Sequence, residues 1–323
     1  MSARVLVVGG AGYIGAHVVH DLTEAGHRVV VLDNLASGST DNIPKAAAFI
    51  EGDLRHGNAL AKALAGGVDV VFHFAALKAA GESMQRPHMY ADNNIGGTLR
   101  LLGAMHDAGV TRFVFSSSAA VYGSPRSLPV DEDHPCEPEN YYGYTKLAIE
   151  QNLAWFARLA GLDYISLRYF NATGYDVAGR VTTPERDPAN LTPVVLEVAA
   201  GLRRRLEVYG GDYDTRDGTC IRDYIHVNDL AAAHLAAMDR LLNGGPSMVL
   251  NLGVGRGATV LEMIAAAGRA LGREIPYEVV ARRPGDPPAL VASSERAARE
   301  LGFKPRYSDL DTIFGSMRRV YGL

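Results

Sequence analysis

The chain has 323 residues, a length that suggests about two domains, and its 47% hydrophobic content is ordinary for a globular protein with a real core. Its net charge of −4 and pI of about 6.2 argue against a nucleic-acid-binding or membrane-surface protein, which would carry a basic excess. The two cysteines, Cys136 and Cys220, are too few for a disulfide framework and fit a reducing cytoplasm. We expect no signal peptide, because a glycine-punctuated apolar run begins almost at once, and no membrane span, because no apolar run reaches about 18 residues.

The first half of the chain alternates short β-branched runs with helix-like stretches. The predicted strands cover 4–9, 27–33, 48–53, 69–76, 112–118 and 163–171, and the predicted helices include 13–25, 93–108 and 142–159. Continuous apolar strands that alternate with helices are typical of a parallel sheet covered on both faces. Right-handed crossovers then predict an α/β fold with a Rossmann-like, doubly wound parallel sheet.

The composition of the sequence changes after Asn171. The stretch that follows is rich in glycine, proline and polar residues, and its hydrophobic residues show no clear periodicity. We therefore predict a first domain over 1–173, rejoined by a segment near 225–253, and a smaller mixed α/β domain over 174–323. Within the second domain we predict helices at 191–205, 228–242 and 259–271 and strands at 221–226 and 248–253, the last of which could rejoin the first sheet. The basic run Arg203–Arg205 is interpreted as the last turn of the first of these helices, where cations suit the helix dipole.

A glycine-rich stretch, "VVGGAGYIGAHV", lies between the first predicted strand and the first predicted helix. Gly9, Gly12 and Gly15 allow a tight turn there and let backbone N–H groups approach a pyrophosphate at a helix N-terminus. Asp33 ends the second strand 18 residues past Gly15 (33 − 15), close to the roughly 20 expected for an acid that binds the ribose hydroxyls. An acid there repels a 2′-phosphate, so the stretch predicts NAD rather than NADP. Asp53, at the end of the third strand, either contacts the adenine edge or caps the next helix.

Three tyrosines precede one lysine in "NYYGYTK". Because a helix turns about 100° per residue, Tyr142 lies about 40° from Lys146 around the axis, whereas Tyr144 lies about 200° and Tyr141 about 140° away. A cation on the same face stabilises phenolate and would lower a pKa of about 10 toward neutrality, and the positive nicotinamide of NAD⁺ would add to that effect. Tyr142 is therefore the candidate general base.

A run of serines, "FSSSAAVYG", ends the fifth predicted strand at the carboxyl edge of the sheet, where ligands bind in such folds. A serine at this edge can donate a hydrogen bond to a substrate oxygen.

The glycine loop, the strand-end serines and the Tyr-x-x-x-Lys pattern together resemble the extended short-chain dehydrogenase/reductase superfamily. Within it, the chain resembles the UDP-glucose (UDP-galactose) 4-epimerase family over about 5–307, nearly its whole length. The most specific stretches are "HFAALKAAGES", "FSSSAAVYG", "LRYFNATG", "IRDYIHVNDLAAAH" and "RRPGDPPAL". The resemblance implies an isomerase of galactose and carbohydrate metabolism, with NAD as cofactor and a UDP-sugar as substrate. It also implies a homodimer formed through the helices 93–108 and 142–159.

The resemblance implies residue roles as well. Ser118 is the implied catalytic serine, Tyr142 the base, and Lys146 the residue that holds the nicotinamide ribose and tunes the tyrosine. The implied cofactor-binding residues are Gly9, Gly12, Tyr13, Ile14, Gly15, Asp33, Asn34, Asp53, Leu54, Phe74, Ala75, Lys78, Asn93, Ser116, Tyr142, Lys146 and Tyr169. The implied substrate-binding residues are Lys78, Ser118, Tyr142, Asn171, Asn190, Leu191, Tyr209, Arg222, Arg283, Asp286 and Leu290. The two arginines suit a diphosphate, which favours guanidinium forks.

The implied reaction is a reversible oxidation at C4 of a UDP-hexose, with a 4-keto intermediate that turns over within the site while UDP anchors it. Sugar-nucleotide dehydratases on this scaffold carry an Asp-Glu pair after the strand-end serine or threonine, because eliminating water needs an extra acid and base. This chain has Ala119-Ala120 there, which favours epimerisation. The alternatives are a 4-epimerase of a UDP-pentose or UDP-uronate and, in another class, a non-catalytic NAD-sensing protein, which would usually lack the tyrosine or the lysine.

Three positions depart from the usual pattern of the family. Val8 replaces a threonine before the glycine loop, and Tyr141 stands where proline is common, which leaves the helix start less fixed. Leu290 replaces a large tyrosine of the stricter epimerases, so we hypothesise that UDP-N-acetylhexosamines also fit. We expect no metal site: His17 and His20 share a helix, but no third ligand is near.

Overall fold

The computed structural model describes residues 2–186, 188, 190–283 and 286–323. It divides the chain into two compact units. The first consists of Met1–Gly123, Cys136–Arg168 and Ala231–Leu250, and the second of Ser124–Pro135, Tyr169–Leu230 and Asn251–Leu323. Within the described residues, no helix has the length and apolarity needed to cross a membrane.

The secondary structure alternates strands and helices along the chain. The strands are β1 (Arg4–Val8), β2 (Arg28–Asp33), β3 (Ala48–Glu51), β4 (Val70–His73), β5 (Arg112–Ser118), β6 (Asp163–Tyr169), β7 (Asn171–Thr173), β8 (Leu206–Tyr209), β9 (Ile221–His226), β10 (Met248–Leu252), β11 (Gly257–Thr259), β12 (Tyr277–Val280) and β13 (Ala289–Leu290). The helices are α1 (Tyr13–Glu24), α2 (Gly57–Leu64), α3 (Ala80–Gln85), α4 (Pro87–Tyr90), α5 (Gly97–Asp107), α6 (Tyr141–Ala160), α7 (Leu191–Ala199), α8 (Val227–Leu242), α9 (Val260–Leu271), α10 (Glu295–Leu301) and α11 (Leu310–Met317).

The first unit is built on a seven-stranded parallel sheet in the order β10-β6-β5-β4-β1-β2-β3. This is the Rossmann-like, doubly wound arrangement predicted from the sequence, which is therefore confirmed. The strand predicted at 248–253 does join this sheet, as β10 beside β6. The strand order reverses between β1 and β4, and the carboxyl ends of strands at such a reversal are where open α/β sheets bind ligands.

The core of the first unit explains why its central strands carry continuous apolar runs. Every residue of β4 is buried, and β2 is buried from Val29 to Asp33. One face of the sheet packs a hydrophobic cluster that includes Leu6, Phe113 and Phe115 and, from α6, Leu153. Burying this surface, at about 25 cal/mol per Å² of apolar area, is the main stabilisation of the unit.

The second unit carries two smaller sheets, one with β9 at its centre and one formed by β8 and β12. β9 pairs antiparallel with β11 and parallel with β7 and β13. β12 pairs parallel with β8. Of these strands, the sequence predicted only β9.

The helix predicted at 191–205 is wrong at its end, because α7 stops at Ala199. Gly201 has a φ of +77°, a left-handed conformation that glycine adopts without strain and that ends a helix. Arg203–Arg205 consequently lie beyond the helix, and the interpretation that they form its last turn is wrong.

Candidate functional site

The glycine loop lies at the point where the strand order reverses. Gly9 follows β1 with a φ of +82°, and a Cβ built on it would lie 2.5 Å from the backbone nitrogen of Ala75, just beyond β4. A Cβ on Gly15 would lie 2.2 Å from the carbonyl oxygen of Gly9. Both distances are far below van der Waals contact, so the turn and its packing require glycine at these positions.

The loop opens α1 in a way that suits an anion. Gly12 is the N-cap residue, no side chain caps this helix, and its first turn has no acidic residue. The first N–H groups of a helix lack partners within the helix, and its dipole favours negative charge there. The residues present therefore fit the pyrophosphate of a dinucleotide.

Polar side chains follow the carboxyl ends of β2 and β3. Asp33 accepts hydrogen bonds from the backbone N–H of Ala11 at 3.0 Å and of Leu35 at 2.8 Å, and burial raises the pKa of this carboxyl group. Asn34 donates to Asp53 at 2.9 Å, and Arg55 holds the pKa of Asp53 well below its usual range. Asp33 thus also ties the glycine loop to β2, a backbone role that the sequence analysis did not foresee.

Ser118, Tyr142 and Lys146 come together at the end of β5. Lys146 Nζ lies 5.7 Å from the centroid of the Tyr142 ring, as expected for residues on one helix face, and donates to the carbonyl oxygen of Ser116 at 2.8 Å. Ser118 ends β5, its side-chain oxygen accepts from the N–H of Ala120 at 3.1 Å, and its hydroxyl is hydrogen-bonded to Tyr142.

The start of α6 is fixed despite the absence of a proline. Asn140 is the N-cap residue, and its side chain accepts from the N–H of Gly143 at 2.9 Å. Ser83 accepts from the N–H of Tyr142 at 3.0 Å, so a second side chain holds the first turn. Two side chains thus hold this end of the helix, and the expectation that Tyr141 leaves it less fixed than a proline would stays a prediction.

Burial controls the protonation of both candidate catalytic groups. It raises the pKa of Tyr142, while the hydrogen bond with Ser118 lowers it. Burial lowers the pKa of Lys146 to about 7, opposed by the charge of Glu150. The expectation that the pKa of Tyr142 is lowered toward neutrality is contradicted, because burial of the phenol raises this pKa more than the hydrogen bond with Ser118 lowers it.

The second unit contains a cavity of about 820 Å³. Its lining includes seven of the eleven residues implied in substrate binding: Asn171, Asn190, Leu191, Tyr209, Arg222, Arg283 and Asp286. Among the described lining residues, five are arginines and three are acidic, so the lining carries a formal charge of +2 (5 − 3). Such a cavity suits a diphosphate.

Several of these cavity residues hold one another in place. Arg222 forms an ion pair with Asp286. The guanidinium of Arg283 lies 3.8 Å from the centroid of the Tyr209 ring, and the Tyr209 hydroxyl donates to Glu207 at 2.5 Å. Asn171 donates to the carbonyl oxygen of Asp223 at 3.0 Å. Leu290 pairs with Arg222 in the sheet but is not among the described residues that line the cavity.

The remaining implied residues lie on the loops and helices around the sheet of the first unit or at its edge. Asn93 is half-buried and donates to Asn94 at 3.0 Å, Phe74 packs against His234, and Lys78 is exposed. Leu54 and Tyr169 are buried, and Tyr13 and Ile14 are half-buried in the first turn of α1. Two residues of the "RRPGDPPAL" stretch, Pro284 and Gly285, lie outside the described residues.

The sequence analysis missed several polar residues at these sites. Asn94 is buried and donates to the carbonyl oxygen of Leu77 at 3.0 Å and to Thr145 at 3.1 Å, tying the loop after β4 to α6. Arg203–Arg205 line the cavity. A visible signal for the latter was Gly201, which marks a helix end before the basic run. Across the part of the chain that the structure describes, no three His, Cys, Asp or Glu side chains are grouped to hold a metal ion.

Comparison with known proteins agrees with this geometry. Residues 5–253 match the model of the NAD dependent epimerase/dehydratase family, and the chain belongs to that family. NAD is accordingly its cofactor, as the glycine loop and Asp33 predicted.

The family members that the chain resembles are UDP-glucose 4-epimerases. It is 46% identical to the UDP-glucose 4-epimerase of Halalkalibacterium halodurans, over 96% of this chain and 92% of that protein. The crystal structure of UDP-glucose 4-epimerase from Brucella ovis in complex with NAD superposes with a TM-score of 0.95 and 45% identity, covering 98% and 97% of the two chains. The UDP-Glc/GlcNAc 4-epimerase of Campylobacter jejuni superposes with a TM-score of 0.87 and 38% identity, covering 99% of each. The resemblance inferred from the motifs is confirmed.

Proposed function

We infer that this protein is an isomerase that interconverts UDP-glucose and UDP-galactose by NAD-dependent epimerisation at C4. The observation that carries this inference is the grouping of Ser118, Tyr142 and Lys146 at the end of β5, followed by Ala119-Ala120 in place of further acids. A half-buried phenol beside an ammonium can exchange a proton with a sugar hydroxyl. Ala119 and Ala120 cannot serve as the further acid and base that the elimination of water needs, so the site favours epimerisation over dehydration.

Each of the three side chains has a defined part in this reaction. Tyr142 removes the proton from the C4 hydroxyl, and returns it when the 4-keto sugar is reduced. The hydroxyl of Ser118 is hydrogen-bonded to Tyr142, and it would turn to donate to the C4 oxygen when the sugar is bound. Lys146 places a positive charge beside the Tyr142 ring and favours the phenolate.

The first unit provides groups that fit NAD⁺. The glycine loop and the uncapped start of α1 would hold the pyrophosphate, Asp33 the adenosine ribose, and Asp53 the adenine. When bound, NAD⁺ would supply the redox chemistry, as acceptor of the hydride from C4 and as donor of the same hydride to the opposite face of the 4-keto sugar.

The second unit would hold the uridine diphosphate. Its cavity combines the cations Arg222 and Arg283 with the aromatic ring of Tyr209. Anchoring through the nucleotide leaves the hexose free to turn, which epimerisation requires. On these grounds we assign NAD binding to residues 1–173 with the returning segment near 225–253, and nucleotide-sugar binding to residues 174–323.

Purified protein mixed with UDP-galactose, without added NAD, tests this function directly. We expect UDP-glucose to form until both sugars reach equilibrium, because the cofactor is regenerated in each cycle and is held tightly. A protein that contains NAD but forms no UDP-glucose would instead be a sensor. Conversion of only a UDP-pentose or UDP-uronate would identify another 4-epimerase.

We also propose that UDP-N-acetylhexosamines are substrates. Leu290 pairs with Arg222, a residue that lines the cavity, and a leucine is smaller than the tyrosine of stricter family members. The Campylobacter jejuni relative is a UDP-Glc/GlcNAc 4-epimerase. We expect UDP-GalNAc to form from UDP-GlcNAc at a rate within about tenfold of the hexose reaction, and Leu290→Tyr to suppress only the N-acetylated reaction, because one added group in a pocket changes discrimination about 10- to 200-fold. No detectable UDP-GalNAc would refute this proposal.

We propose that the protein is a homodimer that works in the cytoplasm. Leu99 on α5 and Trp155 and Leu159 on α6 are large apolar side chains that are 38%, 58% and 79% exposed. Exposed apolar side chains on neighbouring helices are typical of a surface that a partner covers. Light scattering should give a molecular mass of twice that of one chain. In Trp155→Glu the mass should fall toward that of a single chain. A monomeric wild-type protein would contradict the proposal. Among the described residues, neither cysteine is part of a disulfide bond, which suits a reducing compartment.

A further inference from the structure

A buried ion pair lies one helical turn beyond the candidate catalytic lysine. Glu150 on α6 and Arg168 on β6 are 6% and 5% exposed, and Arg168 donates to both carboxylate oxygens of Glu150, at 3.0 Å and 2.5 Å. The same guanidinium donates to the hydroxyl of Tyr122 at 2.8 Å. Burying two charges is costly unless their geometry is good, and the roles assigned so far make no use of this pair.

The pair reaches the candidate active site through the middle serine of the strand-end run. Ser117 is 2% exposed, and its hydroxyl donates to Glu150 at 2.5 Å. Ser117 thus contacts α6 at Glu150, while its neighbour Ser118 contacts the same helix at Tyr142. Ser117 is therefore the residue through which Glu150 on α6 contacts the end of β5.

Two ties thus connect the end of β5 to successive turns of α6. Lys146 donates to the carbonyl oxygen of Ser116, and Glu150, four residues later, accepts from the hydroxyl of Ser117. Residues four apart lie on the same helix face. Together these bonds fix the strand end that carries Ser118 relative to the helix that carries Tyr142.

We propose that Glu150, held by Arg168, is a positioning residue that fixes the end of β5 against α6 and presents its carboxylate on the helix face that carries Lys146. This role rests on the proposed function for its effect on turnover, but its effect on the charge of Lys146 can be measured independently of any activity.

The groups around Lys146 make Glu150 the charge that matters most there. On β5, the ammonium faces the ring of Phe115, at 4.9 Å from its centroid, and the carbonyl of Ser116. On β4 it faces His73, which is neutral because burial and the charge of Lys146 lower its pKa to about 3. On α6 it faces the phenol of Tyr142 and the carboxylate of Glu150, with Arg168 behind that carboxylate. Glu150 is therefore the anion among these groups, and it raises the pKa of Lys146 against the effect of burial.

Ser117→Ala tests the positioning role without leaving a charge unpaired, because the Glu150–Arg168 pair stays intact. A small displacement of a catalytic group can cost up to about 100-fold in rate, so we expect kcat to fall about 10- to 100-fold. The KM for UDP-galactose and the content of NAD should stay close to those of the wild type. Ser117→Thr, which keeps the hydroxyl, should restore most of the turnover.

Ser166→Ala is the matched control. Ser166 lies on β6, is 0% exposed, and its hydroxyl has no hydrogen-bond partner among the described residues. Ser166→Ala removes a serine hydroxyl from β6, the strand beside β5, without removing a hydrogen bond to α6. We expect turnover within about twofold of the wild type. If Ser117→Ala were as active as Ser166→Ala, the positioning role would be overturned.

Glu150→Gln tests the control of charge. The chain has five lysines, so lysine side-chain NMR can follow each of them through a pH titration, with Lys146 assigned by Lys146→Met. Glu150→Gln removes the negative charge near Lys146 and leaves the positive charge of Arg168 uncompensated. Each of these two effects favours the neutral amine form of Lys146. The midpoint of the Lys146 signal should therefore move down by about one pH unit or more, and the alkaline limb of the kcat profile should move with it.

The outcomes separate the two claims from the proposed function. An unmoved Lys146 midpoint in Glu150→Gln would overturn the control of charge. If that variant does not accumulate as folded protein, the comparison of Ser117→Ala with Ser166→Ala decides the proposal. A wild-type protein that converts no UDP-sugar would refute the proposed function, while the lysine titration would still decide whether Glu150 sets the charge of Lys146.

Discussion

Replacing Tyr142 by phenylalanine is expected to lower kcat by about 10²- to 10⁴-fold, the usual contribution of a general base. The phenol is half-buried and hydrogen-bonded to Ser118, and the substitution removes the group that takes the proton from the sugar. Because the ring is retained, packing around Lys146 should persist, and the free energy of unfolding should change by no more than about 1.5 kcal/mol. Turnover of UDP-galactose and denaturant unfolding, measured on the same preparation, check the two parts.

Tyr141→Phe is the matched control, since it removes the neighbouring hydroxyl from the same helix turn. The Tyr141 ring lies 5.3 Å from that of Tyr144, a contact that phenylalanine preserves, and its backbone N–H donates to Met84. We expect activity nearly equal to that of the wild type. If Tyr142→Phe kept turnover within tenfold of Tyr141→Phe, Tyr142 would not be the base.

The parallel sheet could be predicted from the sequence because its strands are buried on both faces. The prediction for 112–118 coincides with β5, and those for the other five strands differ from β1–β4 and β6 by one to three residues at their ends. The strands that sequence reasoning missed are two to four residues long. In β12, Tyr277 and Val279 are 46% and 54% exposed, so no continuous apolar run marks it.

Some features of the candidate site follow from local sequence, and others depend on residues that are far apart in the chain. The pairing of Tyr142 with Lys146 follows from helix geometry alone, and the structure has it as predicted. The pKa of Tyr142 could not be predicted, because it depends on burial by elements far away in the sequence. Glu150 and Arg168 are 18 residues apart (168 − 150), on a helix and the strand after it, and no local pattern announces their contact.

The glycine loop offers the second large effect, because it leaves no space for a side chain. Gly15→Ala would place a Cβ 2.2 Å from the carbonyl oxygen of Gly9 and 2.9 Å from the Cα of Gly10. The clash involves backbone on both sides, so the loop must move away from the start of α1. We expect the purified variant to lose its bound NAD, and turnover without added NAD to fall more than about 100-fold. Overpacking should lower the free energy of unfolding by about 1–3 kcal/mol.

Gly315→Ala separates this clash from the general effect of the substitution. Gly315 lies within α11, is exposed, and a Cβ there would meet nothing within 4 Å. Alanine in place of glycine inside a helix should raise the free energy of unfolding by about 0.5–1 kcal/mol and leave the NAD content unchanged. The absorbance of cofactor released by denaturation measures that content in both variants. Because the Cβ added at Gly15 clashes with backbone atoms, which cannot move aside as a flexible side chain could, excess NAD should restore only part of the turnover of Gly15→Ala. A Gly15→Ala protein that kept a full complement of NAD would show that the loop does not hold the pyrophosphate.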